Sequence, residues 1–71
     1  MYTDAIYEEL RHVEREVIEG ERRLAEQEAL VLELKRQQQD TTKAEAELKR
    51  MREDQRLRDR DRQRLLSRLQ P

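Results

Sequence analysis

The sequence predicts an all-α protein: a two-helix antiparallel hairpin with coiled-coil-like packing, assembling into a four-helix bundle dimer. Three observations predict it. Ala, Leu, Glu, Lys, Arg and Gln dominate the chain, and all are strong helix formers. Internal punctuation is missing, since the single glycine is Gly20 and the single proline is the last residue, Pro71. Hairpin turns and βα loops need such residues, which disfavours all-β and α/β folds. Apolar side chains recur at alternating intervals of four and three, the signature of a heptad seam.

The first helix is expected over about 4–38. Its seam runs Ile6, Leu10, Val13, Val17, Gly20, Leu24, Gln27, Val31, Leu34, with Gly20 and Gln27 its non-hydrophobic members. Thr3 and Asp4 are suited to cap its start. The pattern pauses at Gln37-Gln38-Gln39-Asp40-Thr41-Thr42. The turn is placed at about 39–41, because Asp and Thr are poor inside helices and good at their ends. Thr42-Lys43-Ala44-Glu45 fits a capping box, so a second helix is expected over about 42–69. Its seam is Ala44, Leu48, Met51, Gln55, Arg58, Arg62, Leu65, Leu69, polar in the middle and weaker than the first.

Folding the chain back at the turn pairs Leu34 with Ala44, Val31 with Leu48, and Gln27 with Met51. It also sets Gly20 against Arg58, Val17 against Arg62, Val13 against Leu65 and Leu10 against Leu69. The smallest residue then faces one of the largest. The competing topology is one continuous helix in a parallel coiled coil. The Asp-Thr-Thr segment argues against it, and the lack of a turn glycine or proline argues for it.

Charge supports the hairpin. The chain has 71 residues, 46% of them charged, with 16 Lys and Arg against 17 Asp and Glu. Residues 1–38 hold ten acids and six bases, and residues 39–71 hold seven acids and ten bases. An acidic helix beside a basic one selects a partner and a register more than it supplies stability. With 34% hydrophobic and 3% aromatic residues, the seam is thin for a chain folding alone. Self-association is the expected remedy. A second stripe on helix 1, Ile18, Ala25, Ala29 and Leu32, lies nearly opposite the seam and offers a surface for it. The residues expected to carry assembly are therefore Val17, Ile18, Gly20, Leu24, Ala25, Ala29, Val31, Leu32, Leu34, Leu48, Met51 and Leu65.

Other chemistries find little support. There is no cysteine, hence no disulfide framework and no thiolate. The longest apolar run, Ala29-Leu30-Val31-Leu32, is too short to span a membrane, so no membrane association is expected. His12 is the single histidine and falls on the solvent side of its helix. Neighbouring Glu8, Glu9 and Glu16 are common company on a Glu-rich helix, and no metal site is expected. Val13-Glu14-Arg15-Glu16 follows His12, unlike the Lys and Gly of phosphotransfer histidines. Carboxylate pairs such as Glu8/Glu9 and Asp59/Asp61 have no pocket to perturb them. The hydroxyls of Thr3, Thr41, Thr42 and Ser67 have no positioned base, and one glycine cannot make a phosphate loop. No catalytic residue and no cofactor is expected.

The strongest local charge is the stretch 49–68, with nine bases and four acids. Arg56, Arg60 and Arg64 could follow phosphates. The interleaved Asp59 and Asp61 and the absence of nearby aromatics for base stacking favour a solvated face instead.

Val17-Ile18-Glu19-Gly20-Glu21-Arg22-Arg23-Leu24, then Gln27, Asp40-Thr41-Thr42-Lys43-Ala44-Glu45 and Asp61-Arg62-Gln63-Arg64-Leu65-Leu66 carry a resemblance. Over about 10–69 the chain resembles a group of short, hypothetical bacterial helical proteins. Members of that group carry glycine where Gln38 stands here and an aromatic near Met51. Without that glycine the first helix loses its readiest C-terminal cap. The resemblance implies a hairpin in a bacterial cytoplasm and implies no activity.

The functional expectation is a non-enzymatic helical module for oligomerisation and protein–protein interaction, cytoplasmic, a homodimer first, with a further protein partner. The alternative is a nucleic-acid-associated protein using the Arg-rich second helix.

Overall fold

The computed structural model describes residues 2–70. Two helices, α1 (Tyr2–Arg36) and α2 (Thr42–Leu69), account for nearly all of them. They pack against each other along a rod of 55 × 15 × 14 Å, an all-α helical hairpin. The continuous-helix topology is therefore excluded. α1 begins and ends two residues earlier than the 4–38 expected from spacing. Thr3 and Asp4 consequently lie inside its first turn instead of capping it. Asp4 there puts a carboxylate at the positive end of the helix dipole.

The chain reverses without glycine or proline. Gln38 takes a left-handed φ of 58°. Its N–H donates to the Lys35 carbonyl at 3.0 Å, and the Gln39 N–H donates to the Leu34 carbonyl at 2.9 Å. These are the two bonds of a Schellman motif, with Gln38 at the position glycine normally fills. The sequence expectation that losing glycine removes the C-terminal cap is thus corrected. The cap forms, and the steric cost falls on Gln38.

The start of α2 is also capped differently from the capping box. Thr41 is the N-cap residue but makes no side-chain bond there. Asp40 does the work from one residue earlier, its Oδ1 accepting from the Thr42 N–H at 3.0 Å and the Thr42 hydroxyl at 2.7 Å. Those two bonds, the hydroxyl's the stronger influence, hold the Asp40 carboxyl below its ordinary pKa. Glu45 points elsewhere and pairs with Lys35 across the helices at 3.3 Å.

Every seam position of both helices is buried or half-buried. Ile6, Leu10 and Leu65 form the tightest cluster, with Val13, Leu66 and Leu69 against it, and Leu65 is only 1% exposed. This cluster lies at the open end of the hairpin. Nearer the turn, Val31 and Leu48 are buried and border one groove, as the paired seams require.

Register differs in detail from the residue-by-residue pairing. Val17 and Arg62 do border a common groove. Leu65, however, takes Ile6 and Leu10 as well as Val13. A β-carbon placed on Gly20 would meet Gln55 first, colliding with its Oε1 and reaching its Cδ at 2.9 Å, with Arg58 Nη1 next at 3.1 Å. Gln27 reaches Ala44. The shift of about one turn has a physical source. Gln55, buried, and Gln27, half-buried, seek backbone carbonyls, and these bonds outweigh a simple match of side-chain sizes.

Candidate interaction site

The seam is the first surface to consider, because it holds most of the residues expected to carry assembly. Val17, Gly20, Val31, Leu48 and Leu65 are buried, and Leu24, Leu34 and Met51 are half-buried. All are engaged inside the hairpin. Two amides stitch this seam. Gln55, 7% exposed, donates from Nε2 to the Val17 carbonyl at 2.8 Å, and its Oε1 accepts from Arg58 at 3.3 Å. Gln27 donates to the Ala44 carbonyl at 3.0 Å. Each helix thus sends one glutamine to the other's backbone, and no buried side-chain polar atom among the described residues is left without a partner. Gly20 makes room for the Gln55 amide more than for Arg58.

The second surface is the outer face of α1. Ile18 is 66% exposed and Leu32 67%, with Ala25 and Ala29 exposed between them. Tyr7 extends the same face toward the N-terminus, half exposed. It escaped the sequence reading because Arg11 and Glu14 interrupt the spacing between it and Ile18, although eleven residues are close to three helical turns.

Charged side chains frame this face. Arg22 reaches both Glu19 and Glu26, and Arg36 pairs with Glu33 at 2.6 Å. The Arg22 hydrogen bond holds the Glu19 carboxyl below its usual range, and Arg36, helped by Gln37, does the same for Glu33. Glu19 in turn raises the Arg22 guanidinium, as Glu47 raises that of Arg50. All of these groups are in open solvent, where such pairs organise the surface and add little stability. Between the helices, Arg52 lies 3.9 Å from Glu28 and Arg58 3.8 Å from Glu16, joining the Lys35–Glu45 pair. These bonds realise part of the acidic-against-basic arrangement.

The third surface is the outer face of α2. Arg56, Arg60 and Arg64 stand exposed one turn apart. Arg56 pairs with Glu53 at 3.5 Å and Arg64 with Asp61 at 3.3 Å, which leaves Arg60 as the member without an ion pair among the described residues. His12 is exposed and bonds Glu16 through Nε2 at 2.7 Å. Among the described residues no group of three or more His, Cys, Asp or Glu is arranged to hold a metal ion, and no helix is long and apolar enough to cross a membrane. The depressions between the helices are open grooves with charged rims, such as that bordered by Glu28, Lys35, Glu45 and Arg52. No protein family, curated protein or solved structure matches the chain.

Proposed function

We propose that the chain is a non-enzymatic helical interaction module that self-associates, as a dimer first, and engages a further protein partner. One observation carries this reading. The seam is consumed within the hairpin, yet Ile18 and Leu32 remain two-thirds exposed on either side of Ala25 and Ala29. Exposed apolar side chains aligned along one helix face are a surface for another protein. The small residues let a second backbone approach closely. The resemblance to short bacterial proteins adds the expectation of a bacterial cytoplasmic setting.

Light scattering coupled to size exclusion tests the reading. The expected mass is that of a dimer. Ala29→Asp is expected to lower that mass toward the monomer while helicity by circular dichroism is retained, because residue 29 is exposed in the hairpin. A concentration-independent monomer for the unaltered chain overturns the proposal.

The second reading, nucleic-acid association, is favoured by one feature: exposed Arg56, Arg60 and Arg64 on one face, with Arg60 unpaired among the described residues. It requires binding to duplex DNA or RNA that falls steeply with salt and weakens when the three arginines are replaced by alanine. Absence of binding at low salt removes it.

A further inference from the structure

The outer face of α1 carries charge on both its edges, and the signs differ. Ile18, Ala25 and Leu32 recur every seven residues along its centre. Residues 14, 21, 28 and 35 repeat at the same interval along one edge, as Glu, Glu, Glu and Lys, and Lys35 is paired with Glu45 of α2 at 3.3 Å. Residues 15, 22, 29 and 36 repeat along the other edge, as Arg, Arg, Ala and Arg. Every one of these side chains is exposed. At about 100° per residue the two rows flank the central line on opposite sides. Glu14 and Glu21 on one edge and Arg15 on the other have no ion pair within the hairpin among the described residues, so each edge retains charge that the fold does not use.

An acidic edge and a basic edge on one stripe select the orientation of a second copy. When two such stripes meet about a twofold axis parallel to the helices, each acidic edge meets the other copy's basic edge. Arg15 then stands level with Glu14 of the second copy, and Arg22 with its Glu21. When the stripes meet antiparallel, like edges meet, glutamate row against glutamate row and arginine row against arginine row. Like charges directly opposed disfavour an assembly, and opposed signs favour it.

We infer that the outer face of α1 docks on the same face of a second copy in parallel and in register. The hairpins then sit back to back, with each α2 on the outside and both turns at one end. This rests on the self-association proposed above and adds its geometry. Arg22 also bonds Glu19 and Glu26 within its own helix, and the second copy's Glu21 stands level with it.

The chain has no cysteine, so single substitutions report the orientation cleanly. Ile18→Cys and Leu32→Cys are each prepared in the full chain, checked for helicity, and oxidised mildly alone and as a mixture. Residues 18 and 32 lie about 21 Å apart along the helix, far beyond disulfide reach. Parallel docking is expected to give covalent dimers of each protein alone. In the mixture it is expected to give no excess of the 18-to-32 product over random pairing. A dimeric mass in solution with 18-to-32 linkage predominating overturns the parallel geometry and leaves self-association standing. A monomeric mass overturns both. As a second measurement, a variant carrying Glu14→Arg and Glu21→Arg is expected to dimerise at least tenfold more weakly alone. Mixed with a variant carrying Arg15→Glu and Arg22→Glu, it is expected to recover as a heterodimer. Failure of the mixture to associate, with the unaltered chain dimeric, also overturns the parallel geometry.

Discussion

Gly20 is where α1 lacks a side chain, and Gln55 occupies the space. Two opposing effects meet at this position. Replacing glycine by alanine inside a helix gains about 1 kcal/mol of backbone preference. Here the added methyl collides with Gln55 Oε1 and forces the amide out of its buried bond to the Val17 carbonyl. A buried amide left unpaired costs about 1–3 kcal/mol. Gly20→Ala is therefore expected to destabilise the chain by about 1 kcal/mol, visible as a lower Tm. In a Gln55→Ala background the sign is expected to reverse, with Gly20→Ala stabilising by about 1 kcal/mol. Thermal melts of the four proteins at one concentration measure this. Stabilisation in both backgrounds would show that Gln55 swings clear without loss. The sequence made the exceptional status of Gly20, Gln27 and Gln55 on the seam legible. It did not show which carbonyls the glutamines reach, because that depends on axial shift and side-chain direction, which heptad spacing leaves open.

The element most unlike its expectation is the turn. Helix existence was legible from propensity and periodicity, since both seams are long and regular. The ends were less so. At residues 36–42, Gln38 accepts a backbone state that its composition disfavours, and Asp40 caps α2 in place of Thr42. Local patterns identify a residue able to cap, but several able residues stand side by side here and geometry chooses between them. Gln38→Gly is expected to relieve a left-handed penalty of about 1–2 kcal/mol, less the entropy glycine adds to the unfolded chain. The net expectation is a rise in Tm of a few degrees, checked by calorimetry. An unchanged or lowered Tm would remove the strain argument.

The turn and the α1 surface also set a pH dependence. Asp40, Glu19 and Glu33 all have carboxyls held below their ordinary values by hydrogen bonds. A group lowered in the folded state stabilises it above the unfolded value, near pH 4, and loses that contribution as pH falls through the folded value. Tm is thus expected to be flat from pH 7 to about 5 and to fall below about 4. Asp40→Asn is expected to flatten part of the acid limb, read by melts across the same range. An acid limb identical to that of the unaltered chain would show that Asp40 contributes nothing to it.

At the scale of the whole molecule, the seam explains why a chain with 46% charged residues folds as a hairpin. Most charges lie outside the seam, and where the seam turns polar Gln27 and Gln55 bond the opposite backbone and Arg58 bonds Gln55. The outer α1 stripe was legible as a stripe. Its framing by one acidic and one basic row was not, because charge counted by halves of the chain hides charge sorted by edges of a helix. The proposed self-association through this stripe would make stability depend on concentration by mass action. Tm is expected to rise by several degrees between micromolar and millimolar protein for the unaltered chain, and to become concentration-independent in Ala29→Asp. Scanning calorimetry at several concentrations checks this.

The placement of the tightest packing has a mechanical consequence. Ile6, Leu10 and Leu65 cluster at the end of the rod where Tyr2 and Leu69 lie, and the turn is at the far end. A pull applied between Tyr2 and Leu69 therefore peels the helices apart one contact at a time instead of sliding them past each other. The first contact to yield is the Ile6, Leu10 and Leu65 cluster, followed by the Gln55 bond and then the Gln27 bond. Under tension the hairpin opens from its mouth, where the apolar cluster sits, toward the turn.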